Sequence, residues 1–269
     1  MKTVCIDTGH VPGMNVSPCV PAYSEGREMA LLGEMLGATL QEYYDDCKIT
    51  YTRKNAYEVL RDDGIDDCVE RGMNARGADL FISLHSNASN DNVCDGINYV
   101  TVFYPYDGMN ESEKHAGTIA ENVENALYMN GVDLSPWQTK TRRGSRGEWY
   151  GVMRGARSVG VPLYFICESG FHTNAKTAVA LLNPETLTDI AVALTLSIGG
   201  ILGLHTRDYV PGDVNGNGKI DPQDYAMLKR YLLGTYQLTD EQIKRADIDG
   251  DGHLTPKDYA MIKRKYLNG

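Results

Sequence analysis

Two stretches near the end of the chain, DVNGNGKIDPQD at 213–224 and DIDGDGHLTPKD at 247–258, repeat one pattern in one register. Asp213, Asn215, Asn217, Lys219 and Asp224 stand at positions 1, 3, 5, 7 and 12 of the first. Asp247, Asp249, Asp251, His253 and Asp258 take the same places in the second. A hard cation such as Ca²⁺ is held by six to eight oxygens. The side chains at positions 1, 3, 5 and 12 supply them, and position 7 offers its backbone carbonyl. Gly218 and Gly252 fall at position 6, where the sharp turn favours a residue without Cβ. The same helical segment follows each loop, DYAMLKRYLLG and then DYAMIKRKYLNG. The pattern predicts a small all-α unit holding two structural Ca²⁺ ions.

At 269 residues the chain has room for this unit and one medium domain. We divide it as 1–205 for the large domain, 206–210 for a short linker and 211–269 for the duplicated unit. Residues 1–206 carry 16 Lys and Arg against 26 Asp and Glu, and residues 207–269 carry 10 against 10. The acidity of the large domain argues against nucleic acid as a partner, since phosphate binding needs clustered cations. No run of 18 apolar residues suggests a membrane span, and Ile190 to Leu204 reads as a buried helix. Strand-like TVCID begins directly after Met1-Lys2 in place of a secretory signal, so if the protein is exported its leader is expected to be removed here. All six cysteines lie in the large domain. None forms CxxC, which argues against a zinc ribbon. Cys5 and Cys167 read as small buried hydrophobes, and pairing among the others is left open.

In the large domain three apolar runs each end in a side chain able to do chemistry: TVCIDTGH in His10, LFISLH in His85 and VPLYFICE in Glu168. Continuous apolar runs predict strands covered on both faces, as in a parallel sheet flanked by helices. Met29, Leu32, Leu36 and Leu40 form one stripe of a helix over about 25–44. Further helices are expected near 64–77, 111–130, 175–182 and 186–204, and strands near 48–52 and 97–104. The fold class is therefore α/β with a mostly parallel sheet, followed by the small all-α unit. Ligands bind beyond the carboxyl ends of such strands, which brings His10, His85 and Glu168 to one rim.

Two histidines at matching strand ends suggest a metal. Catalytic Zn²⁺ commonly takes two His and one carboxylate. Glu25, opening the first helix after the loop from Gly9 to Ser24, suits the third place. Glu28 also lies at the helix start and stays open as the alternative at this point. Asn87 and Asn174 are read either as orienting residues of the site or as turn residues. TRRGSRGEWYGVMRGAR at 141–157 is read as a Gly- and Arg-rich loop, either a solvated connection or a peptide-binding element. His115, His172 and His205 receive no role.

The order DTGH, SEGREMALLGEML, SLHSN and CESGFHTN resembles the zinc-dependent N-acetylmuramoyl-L-alanine amidases over about 1–205. The resemblance implies one catalytic Zn²⁺ held by His10, Glu25 and His85, with Glu168 as the catalytic carboxylate. It also implies hydrolysis of the amide between N-acetylmuramic acid and L-alanine in peptidoglycan or muropeptides. The region 211–269 resembles a type I dockerin, which implies docking to a cohesin domain of a scaffoldin. The resemblance implies that Pro222, Gln223, Lys229 and Arg230, and in the second copy Pro256, Lys257, Lys263 and Arg264, face the cohesin. A secreted or cell-surface, cellulosome-associated protein follows. Two alternatives stay open: a catalytically silent wall-binding module, and a zinc carboxypeptidase acting on another amide.

Overall fold

The structure, a computed structural model, describes every residue except 59–65, 90–93, 95, 109, 146 and 269. It divides into two compact units, Met1–Leu40 with Asp46–Leu204, and Gln41–Asp45 with His205–Gly269.

The elements of the large unit run β1 (Lys2–Thr8), α1 (Glu25–Tyr43), β2 (Cys47–Tyr51), α2 (Asp66–Met73), β3 (Leu80–Asn87), β4 (Thr101–Phe103), α3 (Asn110–Met129), β5 (Gln138–Lys140), β6 (Arg143–Gly144), β7 (Gly147–Glu148), α4 (Gly151–Ser158), β8 (Leu163–Phe171), α5 (Ala175–Ala180) and α6 (Pro184–Leu202). Six strands form one sheet in the order β2-β1-β3-β8-β4-β5, and β6 and β7 form a separate two-stranded hairpin. All pairings in the large sheet are parallel except β4 with β8. The mostly parallel architecture thus follows the apolar runs, which are buried on both faces: Val4, Cys5 and Ile6 in β1, Leu80 to Leu84 in β3, and Tyr164 to Cys167 in β8. The helical stripe Met29, Leu32, Leu36 and Leu40 is wholly buried. Burial pushes the Cys5 and Cys167 thiols up to about 12, so both are inert hydrophobes.

α6 is long and apolar enough to span a membrane by length and composition, yet half of it is buried inside the unit. Leu187, Ile190, Ala191, Leu194 and Ile198 are fully covered, as expected of a core helix.

Three expectations change. The helix expected over 64–77 is described over Asp66–Met73, and residues 64 and 65 lie outside the described residues. The chain turns after Met73, where Gly77 adopts φ +83°. The strand expected at 97–104 is confined to Thr101–Phe103; ahead of it the Asn98 side chain binds backbone, donating to Asp133 O (2.9 Å) and accepting from Phe171 N at the end of β8 (3.2 Å). Finally, 141–157 is no open loop: it holds the β6–β7 hairpin and α4. α4 packs on α2 through glycine. A Cβ on Gly155 would stand 2.0 Å from Val69 O and 2.8 Å from Gly72 Cα. Gly155, part of the segment read as a loop, therefore serves close helix approach.

The second unit contains α7 (Pro222–Leu232), α8 (Asp240–Ala246) and α9 (Pro256–Asn268) around a core of Val214, Leu228, Leu238, Ala246 and Ile262. Asp221 caps α7 and Thr239 caps α8, each through a reciprocal capping box.

Candidate active site

Strand register brings the site together. His85 of β3 and Glu168 of β8 are direct register partners on neighbouring parallel strands, so the two side chains emerge on one face. β1 is bonded to β3 on the other side, Gly9 N donates to Leu84 O (2.9 Å), and His10 follows immediately. Glu25 opens α1 and is buried.

These residues meet. The ligand-type atoms of His10, Glu25 and His85 lie within 4.8 Å of one another. Glu25 Oε1 stands 2.9 Å from His85 Nδ1, and Oε2 stands 3.7 Å from His10 Nε2. The imidazoles meet edge to face with ring centroids 5.3 Å apart. Glu28 is absent from this cluster and pairs instead with Arg27. The approach is tight: a Cβ on Gly9 would come within 2.6 Å of the His85 ring, which is why glycine precedes His10.

The hydrogen bonds test whether a cation fits. Ser83 Oγ donates to Asp7 Oδ2 (2.6 Å), so it accepts from His85 Nε2 (3.1 Å). That fixes the His85 tautomer and leaves the Nδ1 lone pair facing Glu25 Oε1. An imidazole lone pair and a carboxylate oxygen at 2.9 Å require a proton or a cation between them. Asn15 Nδ2 (2.7 Å) and the Ser86 amide (3.0 Å) also donate to Glu25. Burial works to raise the Glu25 carboxyl, but His85 and His10 win and hold it down at about 2. Burial keeps His10 below its usual range, so it presents a neutral ring. Two imidazoles and an ionised carboxylate form a donor set that fits Zn²⁺.

Glu168 differs from Glu25. It has an oxygen, Oε2, that is buried and makes no hydrogen bond to the described residues. Burial pushes its carboxyl up to about 7, against the pull of His85 and helped by the like charge of Glu25. Two carboxylates in one site are thus driven apart in acidity, the pattern of a ligand and a proton carrier. The arginines that might have neutralised Glu168 are engaged elsewhere: Arg157 binds Asp107 with both prongs (2.6 Å each), and Arg154 donates to the carbonyls of Glu148 and Trp149. His10, His85 and Glu168 open into a cleft of about 520 Å³ whose far wall includes Tyr150 and Val152.

The chain matches the N-acetylmuramoyl-L-alanine amidase family over residues 4–199 and the dockerin type I domain over residues 211–268. It belongs to the N-acetylmuramoyl-L-alanine amidase family. The fold is that of solved amidases. The catalytic domain of CwlV from Bacillus (Paenibacillus) polymyxa var. colistinus is 18% identical at a TM-score of 0.58, covering 76% of this chain and 100% of that one. An N-acetylmuramoyl-L-alanine amidase from Clostridium difficile 630 is 17% identical at 0.58, covering 75% and 97%. AmiC2 of Nostoc punctiforme is 20% identical at 0.53, again covering 75% and 97%. No curated protein matches the chain significantly.

Around this cluster stand further residues, of which only Asn87 and Asn174 were expected to serve it. His172 stacks on Tyr23 (centroids 5.8 Å), and both bond Ser86 Oγ, at 2.9 and 2.7 Å. This fixes the strand whose amide holds Glu25. Arg53 donates to Gly9 O, beside His10, while its Nε is buried without a partner among the described residues. Asn15 reaches Glu25 from a left-handed backbone, φ 52°. Cys19 and Cys94 form a disulfide that ties the loop between His10 and Glu25 to the loop after β3. Asn174 caps α5, accepting from the amides of Lys176 and Thr177, and Asn87 Oδ1 accepts from its neighbour Ala88, so both serve local backbone.

In the dockerin domain the two loops are differently charged. Asp247, Asp249 and Asp258 bring carboxylate oxygens within 4.8 Å of one another. In the first loop Asp213 accepts from the amides of Gly216, Asn217 and Gly218 (2.8–3.0 Å), and Asp224 from those of Asn215 and Asp221. Gly218 (φ +89°) and Gly252 (φ +82°) make the left-handed turn in each. Lys219, Asp251 and His253 are exposed, and Asn215 and Asn217 direct their Oδ1 atoms back to loop amides. Pro222, Gln223, Lys229, Arg230, Pro256, Lys257, Lys263 and Arg264 all lie exposed. Lys257 also pairs with Asp249 at 2.7 Å.

Proposed function

We propose that this chain is a zinc-dependent amidase cutting the bond between the lactyl group of N-acetylmuramic acid and L-alanine, and that its dockerin docks it to a cohesin outside the cell. The observation carrying the catalytic half is the convergence of His10, Glu25 and His85 beside the unpartnered oxygen of Glu168. His10, Glu25 and His85 would hold the ion. When bound, Zn²⁺ supplies Lewis acidity towards the scissile carbonyl and towards water. Ser83 and Asp7 hold the His85 tautomer, and Asn15 and the Ser86 amide hold Glu25 ionised. Glu168 accepts a proton from the attacking water and returns it to the departing amine of L-alanine as the C–N bond breaks. Its raised proton affinity suits both halves of that transfer.

Incubated with purified peptidoglycan, the full chain is expected to release new L-alanine amino termini. Chelation is expected to stop release, and added Zn²⁺ to restore it. Release undiminished by exhaustive chelation would refute the metal-dependent reading.

For the docking half, we assign Ca²⁺ to both loops, with the exposed residues of α7 and α9 as the cohesin-facing set. The second loop carries four carboxylates at its ligand positions against two in the first, so it is expected to bind its ion more tightly. Titration calorimetry of Asp258→Ala is expected to show one Ca²⁺ where the parent binds two, with the tighter event lost. Two ions bound by the variant would contradict the assignment.

A further inference from the structure

Cys5, Cys47, Cys68 and Cys167 are free thiols. Burial pushes Cys5, Cys47 and Cys167 up to about 12, which leaves them almost no thiolate at neutral pH. Cys68 stands apart by its position. It is half-buried on α2 and lines the cleft into which His10, His85 and Glu168 open. The hydrolysis proposed above gives this thiol no task.

Two arginines line the same cleft beside it. Arg71 Nη1 stands 3.9 Å from Cys68 Sγ, and Arg53 is near enough for its charge to act on the same residue. Reactive thiols occupy partly exposed, cationic surroundings of this kind. The two guanidinium groups are differently engaged. Arg71 gives its charge to Asp7 (2.9 Å) and Asp67 (3.1 Å). Arg53 is only 7% exposed, yet no carboxylate pairs with it among the described residues. Its Nη groups donate to the carbonyls of Ala56 and Gly9, and its Nε is buried without a partner among the described residues. A guanidinium withdrawn from water without a counter-ion is costly, and its fork has donors beyond those in use. An anion entering the cleft supplies the missing partner.

We propose that Cys68 is a modification site for small disulfides that carry a carboxylate, with Arg53 receiving the carboxylate, and that the adduct obstructs the cleft. The obstruction of catalysis rests on the amidase reading; the modification itself does not. The step balances with the disulfide as its oxidant. The Cys68 thiol gives its proton to solvent and its sulfur attacks one sulfur of the reagent. A new S–S bond forms as the old one breaks, and the departing thiolate takes a proton from solvent. Cys68 is oxidised, and the departing half of the reagent is reduced.

The test treats the full chain, loaded with Zn²⁺ and Ca²⁺, with dithiodipropionate and then removes excess reagent by gel filtration. Peptide mass mapping is expected to place the mercaptopropionate adduct on Cys68 and on none of Cys5, Cys47 and Cys167. Release of L-alanine amino termini is expected to fall in proportion to the adduct. Cys68→Ser, treated alike, is expected to keep the rate it had before treatment. The neutral dithiodipropionamide is expected to modify Cys68 about tenfold more slowly, a conservative figure for one charge-assisted contact. Each rate is first divided by that of the same reagent with free cysteine. Arg53→Gln is expected to bring the two normalised rates together. An adduct on another cysteine with Cys68 untouched would overturn the proposal, as would no adduct at all. So would undiminished turnover by fully modified chain, equal normalised rates in the parent, or a carboxylate preference that survives Arg53→Gln. An untreated chain that released no L-alanine termini would instead sink the amidase reading, while the position and rate of modification would still be read by mass.

Discussion

Glu168→Gln is expected to lower turnover of muropeptides by about 10²- to 10⁴-fold, the usual range for removing a general acid–base group, without loss of bound zinc. The substitution keeps the side chain's size and removes its capacity to take a proton. The structure gives Glu168 no competing structural task. Its Oε2 is buried without a hydrogen-bond partner among the described residues, and the nearby arginines serve Asp107 and backbone carbonyls. Removing the charge should therefore leave the fold intact or slightly more stable, because an unpaired carboxylate in this setting is costly. Release of L-alanine amino termini, measured beside the melting temperature, separates the two effects. Turnover within threefold of the parent would assign the proton transfer to another group.

Asp7→Asn is expected to produce the largest loss of stability, about 3 kcal/mol, at the low end for breaking a buried ion pair. Asp7 is completely buried and accepts four hydrogen bonds: from Thr52 Oγ1 (2.6 Å), Ser83 Oγ (2.6 Å), Arg71 Nε (2.9 Å) and Arg71 Nη2 (3.3 Å). Burial works to raise its carboxyl, but Arg71 and the two hydroxyls win and hold it below the usual range. Among the described residues, the variant leaves the buried Arg71 with Asp67 (3.1 Å) as its remaining carboxylate partner. The pH dependence follows from the sign. A carboxyl whose folded pKa is depressed contributes stability above its unfolded value, about 4, and loses it as pH falls through the folded value. The difference between parent and variant in urea midpoints should accordingly be full at neutral pH and shrink on acidification below about pH 4. A difference constant down to pH 2 would show that the loss is packing rather than charge. Because Ser83 joins Asp7 to His85, the same variant tests whether this pair also fixes the ligand ring.

What was legible in the sequence was what repeats locally. The stripe Met29, Leu32, Leu36 and Leu40 and the apolar strands follow from periodicity, and the two acidic loops follow from alternation. His10, His85 and Glu168 were legible because each closes an apolar run in the sequence, and the parallel register of β1, β3 and β8 converts that position into proximity. The supporting residues carry no such signal. Arg53 reaching Gly9, Tyr23 and His172 meeting at Ser86, and Cys19 bridging to Cys94 are contacts across long stretches of chain that only the completed sheet creates. Asn15 carries no signal in the sequence; its left-handed backbone turns its amide onto Glu25. The segment 141–157 was misread because its glycines suggested a loop, whereas Gly155 is small so that α4 can approach α2. The antiparallel pairing of β4 with β8 was likewise invisible, since pairing direction depends on partners and not on the three residues Thr101–Phe103.

The most direct measurement is the zinc content of the purified full chain and of its His85→Ala variant, taken by elemental analysis after dialysis against metal-free buffer. We expect one zinc per chain in the parent and less than about a tenth of that in the variant, with the melting temperature of the Ca²⁺-loaded dockerin domain unchanged. A full equivalent of zinc retained by His85→Ala would contradict the site built from His10, Glu25 and His85.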